Sequence, residues 1–526
     1  MQFRVVESHA AASSGNEVLL VKDGWNDWYT WHTLFHAYLV RANQERVVIG
    51  PVKIAQRGMT PQNAQTILPT IFTTLPEDFF SIGQVENYYE TLNSFGAPYR
   101  TWFLEALRDG AQTLSILESN NDEDVLKRSL LRDIDMGRVR NRFYRLAHGD
   151  TALSEYAFKY TLPVDERAGT PPPALIFKVK PGSSPPSNVH VLIGRNGVGK
   201  TRCFDFLARS FLKIPGPKGE PTGALEPIEM SLFASAIGFA GLVTVSFSPF
   251  DKYGPLVESK AKLDVRYDYV GLLKNAAPSV VAEGVTMAPS TIAPAIKSPV
   301  ELADDFTKAV RVCREGARRA RWGRALKMLE SDPLFEQIDV SRFAVDEDLD
   351  DGQVRQTFDR LSSGHSVVLL TITKLVELVE EGSLVLVDEP EGHLHPPLLS
   401  AFVRALSDLL VDRNGVAIVA THSPVVLQEA PRTCCWILNR SGHEARADRP
   451  EIETFGENVG VLTREVFGLE VVQTGFHRMI SAAASGRTYE EVLAYFNHRL
   501  GAEGRALARA LTLVLDSEDD ASDETL

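Results

Sequence analysis

Apolar residues follow two different periods along this 526-residue chain. From Glu17 to Lys22, His32 to Val40 and Arg46 to Ile54 they alternate or run together, as in a small antiparallel sheet. Asn43-Gln44-Glu45 supplies turn residues for a hairpin between the last two. Between residues 84 and 147 the spacing changes to three and four, so Leu104 to Leu117 and Glu123 to Leu146 read as helices. Trp25, Trp28, Tyr29 and Trp31 crowd between the first two strands and read as a core cluster rather than a platform for stacking bases or peptides. Arg132, Arg138, Arg140, Arg142 and Arg145 read as a solvated helix face rather than a phosphate track.

Proline then punctuates the chain at Pro171-Pro172-Pro173 and from Pro181 to Pro186, bracketing a strand from Ala174 to Val179. Beyond it, apolar strands alternate with helices: Val189 to Ile193, a helix from Thr201 to Ile214 stopped by Pro215, and Gly241 to Phe247. Ala276 to Pro299, rich in Ala, Pro and Ser, reads as a loosely ordered connection. A long helix is expected from Glu301 to Glu330. It carries Lys308, Arg311, Arg314, Arg318, Arg319, Arg321, Arg324 and Lys327. That charge suits nucleic-acid phosphates or acidic residues of this chain or a partner, and the acidic run Asp346 to Asp351 is one such mate. A further helix opens at Ser362 or Ser363 as N-cap and runs to Glu380. Leu384 to Val387 is a continuous apolar strand of the kind covered on both faces, followed by a helix from Leu398 to Leu410 and a strand from Gly415 to Ala420.

The pattern predicts an α/β fold in five parts. Residues 1–150 form a β-plus-helical extension, 151–251 the first half of a nucleotide-binding domain, 252–350 a helical insertion, 351–470 its second half, and 471–526 terminal helices with an acidic tail. Composition narrows the setting. No run of about 18 apolar residues is present, so no membrane-spanning helix is expected. The start lacks a signal-peptide pattern, and the four cysteines have neither zinc nor disulfide spacing, which fits a reducing cytoplasm. A net charge of −14 argues against indiscriminate coating of nucleic acid.

Gly194-Arg195-Asn196-Gly197-Val198-Gly199-Lys200-Thr201 fits the phosphate-loop pattern G-x-x-x-x-G-K-[ST] at every fixed position. Glycines let successive N–H groups turn toward a polyphosphate, and the following helix presents its positive end. Lys200 is placed to reach β/γ-phosphates and Thr201 to hold Mg2+. The apolar strand ending in Asp388-Glu389-Pro390 is the second half of such a site: Asp388 for Mg2+, Glu389 to orient and deprotonate water. His422, at the end of the next strand, is placed to touch a γ-phosphate. His393 and His395 with Asp388 and Glu389 form a looser metal-like group, which Mg2+ and ATP at the acids make unnecessary.

This ordered set resembles the ABC-type ATPases, within them the soluble branch of RecF, SMC, Rad-type and OLD proteins. Leu361-Ser362-Ser363-Gly364-His365 resembles the signature loop LSGGQ, departing at its third and fifth positions, and Asp388 to Pro396 is similar to the soluble branch's DEP-x-x-HLHP segment. The Q-loop departs clearly. Ser246 to Asp251 stands in its place without glutamine, leaving Ser248 and Asp251 as substitutes. The resemblance implies a homodimer or higher oligomer in which Ser362, Ser363 and Gly364 close over ATP held by a partner copy. The flanking strings Val18 to Trp25 and Leu462 to Gly468 resemble the ATPase subunit of Septu-type antiphage systems, found also with some retrons, which implies an HNH nuclease partner. A RecF-like or Rad-type repair ATPase and an ATP-binding scaffold with little turnover are the alternatives. An intrinsic Toprim nuclease lacks its acidic residues after His422, since Asp516 to Glu524 reads as a disordered, solvated tail.

Overall fold

A computed structural model of the chain describes residues 1–8, 13, 15–27, 30–132, 134, 136–149, 153, 155–228, 239–247, 255–256, 265–274, 295–346, 348–473 and 475–523. Trp28, Tyr29, Ser248, Asp251 and residues 276–294 lie outside the described residues. The first sheet comprises β1 (Phe3–Val6), β2 (Glu17–Lys22), β3 (Leu34–Val40), β4 (Arg46–Gln56), β5 (Ile71–Phe72) and β6 (Phe79–Gly83). The three expected strands are β2, β3 and β4, paired antiparallel. β1 joins β2 in parallel, so the sheet is mixed and six-stranded, not the small antiparallel one expected. Trp31 is buried in its core, whereas Trp25 is exposed with the Arg132 guanidinium 6.0 Å from its ring.

The helical readings of this part need correction. Leu104 to Leu117 is not one helix: Ala97–Ala106 ends, and a new helix starts at Leu114–Ser119. Between them buried Asp109 accepts the Ala111 and Gly83 N–H groups, and Gly110 packs so close to Leu117 that a Cβ would lie 2.3 Å from its side chain. Glu123 to Leu146 breaks into short pieces, with Leu126–Leu130 and Val139–Phe143 wound as π-helix.

The remaining strands are β7 (Tyr156–Thr161), β8 (Ala174–Val179), β9 (Val189–Ile193), β10 (Ala224–Ile228), β11 (Gly241–Ser246), β12 (Arg266–Gly271), β13 (Leu384–Asp388), β14 (Val416–Thr421), β15 (Cys435–Ser441) and β16 (Glu444–Asp448). Seven form one sheet in the order β12-β11-β13-β14-β9-β15-β16. All neighbours but the β15–β16 pair are parallel. Residues 252–350, read as an insertion, thus also supply the edge strand β12. Both faces are covered, as continuous apolar strands require. Val385 and Val387 face the insertion helices and the helices Ser363–Leu378 and Pro396–Asp412, while Leu384 and Leu386 face the helix Lys200–Leu212 and strands β7 and β8. The acidic tail expected to be disordered continues the helix Ala502–Asp523.

The basic stretch is two helices, Pro299–Cys313 and Ala317–Leu329, not one. Gly316 breaks it at φ 54, wedged against Asn87 and Thr91 where a Cβ would lie 2.6 Å from the Asn87 amide. Its cations are largely engaged inside the chain. Arg311 pairs with Asp351, Arg324 with Asp412, and Arg321 with Glu90 at 2.8 Å, while Arg314 donates to the Phe343 and Leu349 carbonyls. Of the two readings for this charge, the structure favours acidic mates within the chain.

Arg138, Arg142 and Arg145 correct the solvated-face reading. Arg138 pairs with Glu380, and Arg142 with Glu381 and, at 3.1 Å, Glu86; both arginine side chains keep only about a tenth of their surface exposed. Arg145 reaches Glu381 at 3.4 Å, and Arg413 binds both Glu86 and Glu90. Glu380 and Glu381 precede β13 and Arg413 precedes β14, so this network fastens the amino-terminal part to the strand ends opposite Asp388 and His422.

Candidate functional site

The parallel register delivers the candidate residues to one edge. Asp388 is in register with Ser246 of β11 and Ala420 of β14, and Thr421 with Ile193 of β9. Ile193 opens the phosphate loop, Asp388 the acidic turn, and Thr421 precedes His422. The strand carrying His422 therefore lies between the other two.

Gly197 and Gly199 take φ of 84 and 98, and the helix Lys200–Leu212 starts directly after Gly199. Only glycine adopts these angles without strain, so the loop curls back over the helix N-terminus. Gly194 has no room for a side chain: a Cβ would lie 2.3 Å from the Leu438 carbonyl oxygen. Lys200 is buried, and its Nζ donates to the Gly194 and Arg195 carbonyls at 2.9 and 3.1 Å. Burial pulls the Lys200 amine below its ordinary pKa, while Glu389, Glu391 and Asp388 favour its charged form. The result is a cradle of N–H groups with one ammonium folded against it, a donor set that fits a polyphosphate. Asn196 and Val198 complete the loop, and Val198 is buried.

Beside the loop, Val198, Gly199, Arg202 and Phe206 line a cavity of about 380 Å³ closed on the far side by the 162–173 segment, Arg440 and His443. Thr201 and Asp388 both line a second, smaller cavity of about 60 Å³ together with Ser246. A hydroxyl and a carboxylate on one small cavity suit a hard, oxygen-seeking cation such as Mg2+. Ser246 was not singled out in the sequence; its position as the last residue of β11, in register with Asp388, was the available signal.

Glu389 takes φ 44, a left-handed conformation that costs a non-glycine residue about 1–3 kcal/mol and is found at functional turns. Its amide is fixed by a 2.9 Å bond to the Ala420 carbonyl, and its side chain is half-exposed, 4.0 Å from His422 Nδ1. Glu391 is the residue that sequence reasoning missed. Its Oε1 accepts from the Thr421 hydroxyl and the His422 backbone N–H, each at 2.6 Å, and stands 3.0 Å from His422 Nδ1. Its Oε2 is buried without a hydrogen-bond partner among the described residues. Only an alignment of the acidic turn with the next strand end could have found it.

Ser362 is the N-cap of the helix Ser363–Leu378, yet its hydroxyl contacts His365 Nδ1 at 2.6 Å instead of capping. Gly364 lies against the segment after the acidic turn, where a Cβ would be 2.4 Å from the His393 carbonyl oxygen. Ser362 and Ser363 are exposed at this helix start. His393 Nε2 lies 3.4 Å from the Phe247 carbonyl oxygen while His395 contacts Asp332, so the loose cluster of histidines and acids does not converge. No helix among the described residues is long and apolar enough to cross a membrane.

Residues 307–428 match the family described as "AAA domain, putative AbiEii toxin, Type IV TA system", a span that holds Ser362 to Gly364, Asp388, Glu389 and His422 but not the phosphate loop. Protein ea59 of Escherichia phage lambda is 37% identical over 543 residues, covering 98% of this chain and 99% of that protein. A solved metal-chelate type ABC transporter in an inward-facing conformation aligns with 60% of this chain and 89% of its own, at 15% identity and a TM-score of 0.29, too low to bear on the fold. The chain belongs to the family of phage lambda protein ea59, and its residues 307–428 carry an AAA-type domain.

Proposed function

We propose that the chain binds and hydrolyses ATP and uses the nucleotide to pair with a second copy of itself. The observation that carries this reading is the convergence of Lys200, the Asp388-Glu389 turn and the Glu391–His422 contact at the same ends of β9, β13 and β14. The N–H groups of Gly194 to Thr201 wrap the polyphosphate, and Lys200 exchanges two loop carbonyls for β/γ-phosphate oxygens. The cavity beside Gly199 takes the base and ribose. Thr201 and Asp388 hold Mg2+, which when bound neutralises charge on the phosphate oxygens. Glu389 accepts a proton from the attacking water, and His422, steadied by Glu391, contacts the γ-phosphate. Ser362, Ser363 and Gly364 face the nucleotide of the partner copy, so closure needs ATP in both.

The pair then acts on a nuclease partner of HNH type in antiphage immunity, within the cytoplasm. This part of the reading rests on the flanking strings Val18 to Trp25 and Leu462 to Gly468. Direct grip of DNA or RNA by the 301–330 stretch is disfavoured, because its arginines are engaged within the chain. The test is co-purification of the natively expressed protein, followed by mass spectrometry and nucleic-acid detection. An HNH nuclease in the complex supports the reading; DNA retained in an ATP-dependent way with no nuclease replaces it with a repair-type ATPase.

A further inference from the structure

Asp332, His365 and His395 converge from three helix starts. Asp332 is the N-cap of Pro333–Ile338, His365 lies in the first turn of Ser363–Leu378, and His395 is the N-cap of Pro396–Asp412. One ligand atom from each lies within 4.8 Å of the others. His365 Nε2 stands 3.1 Å from Asp332 Oδ1, and His395 Nε2 stands 3.5 Å from Oδ2. A tetrahedral ion about 2.0–2.1 Å from each ligand sets neighbouring ligand atoms about 3.3 Å apart, comparable with the separation of each imidazole from the Asp332 oxygen it faces, so one turn of the carboxylate brings a single oxygen to both.

The surroundings also fit. Asp332 and His365 side chains are 3% and 11% exposed, whereas His395 is 52% exposed. The group is thus closed on the protein side and open beside His395, leaving an entry path and room for a water as fourth ligand. A metal-bound imidazole carries its proton on the other nitrogen, which needs an acceptor. Ser362 Oγ lies 2.6 Å from His365 Nδ1 and supplies one. Asp332 keeps its own helix capped, accepting the Leu334 N–H at 2.9 Å. The competing arrangement has both Nε2–H groups donating to the carboxylate, with His395 Nδ1 accepting the Leu398 N–H. That last bond is long, 3.4 Å, and an ion, which puts the imidazole proton on Nδ1, replaces it together with the two Nε2–H contacts to the carboxylate.

We infer that Asp332, His365 and His395 form a binding site for a divalent ion of the Zn2+ class, clamping the insertion to the signature helix and to the turn after Glu389. Two imidazoles and one carboxylate select such an ion over Mg2+, which prefers oxygen ligands throughout. The site is independent of the ATPase reading.

The test uses the full chain carrying Asp388→Asn, which disables the acidic turn as a competing cation site. The protein is stripped with chelator, dialysed free of nucleotide and titrated with Co2+ and then Zn2+. Expected are one equivalent of Co2+ with the visible absorption of four-coordinate cobalt, displacement by Zn2+, and no displacement by excess Mg2+. Adding His395→Ala, at a half-exposed position, removes the absorption and weakens Zn2+ at least about tenfold. Asp332→Asn, which keeps an oxygen for the Leu334 cap, gives the same loss if folding of the first variant fails by circular dichroism. A starting protein that binds no Co2+, or variants with its affinity and spectrum, would overturn the inference in favour of the metal-free network.

Discussion

Glu391 Oε1 binds the His422 backbone N–H at 2.6 Å and lies 3.0 Å from the same residue's Nδ1, joining the acidic turn to the neighbouring strand end. A charged hydrogen bond of this kind contributes about 1.5–3 kcal/mol, equivalent to about ten- to a hundredfold in rate if it holds His422 in place for the reaction. Glu391→Ala is expected to lower ATP turnover by that factor while leaving nucleotide affinity nearly unchanged. Steady-state turnover and equilibrium ATP titration measure the two separately, and equal losses in both would assign Glu391 to binding instead.

Arg413 meets Glu86 and Glu90 where the amino-terminal part joins the main sheet. Burial pushes the Glu90 carboxyl up, but Arg413 and Arg321 outweigh it and hold the group well below the usual carboxylate range. Arg413→Met leaves those carboxylates short of a counter-charge and should destabilise the fold by about 3–5 kcal/mol. Arg311→Met breaks an exposed, solvent-screened pair with Asp351 and should leave stability nearly unchanged. Urea unfolding of both variants checks the contrast; similar midpoints would show the network to be dispensable.

Asp109 is fully buried in the amino-terminal core, and burial pushes its carboxyl up to about 7 against hydrogen bonds from Ala111, Tyr89 and Gly83. In the unfolded chain it titrates at its ordinary 3.8. Between these values the folded protein holds a proton that the unfolded chain has released, so this group's contribution to stability falls as pH rises through the window. Asp109→Asn keeps an acceptor for the same N–H groups and removes the slope. Melting temperatures of the two proteins across that pH range should diverge as pH rises, with the variant gaining; parallel curves would contradict the burial argument.

Lys200 places its ammonium against the phosphate loop. Lys200→Ala should abolish measurable ATP binding, and calorimetric titration with a non-hydrolysable ATP analogue tests this. Native affinity in the variant would refute the role given to the loop.

Strands β9, β11, β13 and β14 of the main sheet and the chemical edge were legible because each of these strands is a short apolar run and each motif sits at a strand end, whereas the more polar β12, β15 and β16 were not read. Buried parallel strands leave no ambiguity about which faces are covered, and their common direction places Ile193, Asp388 and Thr421 together. What failed to show were features set by distant partners. Arg138 and Arg142 look like surface charge until Glu380 and Glu381, more than two hundred residues later, bury them. Gly316 looks like one weak residue in a long helix until Asn87 and Thr91 press against it. Glu391 likewise has meaning only once β13 and β14 are neighbours.

The central claim, that this is an ATPase with Glu389 as its base, is tested most directly by Glu389→Gln. The substitution keeps Asp388 and the loop, so ATP still binds, while turnover should fall about 10²–10⁴-fold, the usual contribution of a positioned base. With ATP and Mg2+ the variant should accumulate as a closed pair in light scattering, because the step that opens the pair is blocked. Turnover at the native rate, with no ATP-dependent change in mass, would contradict both the base and the pairing.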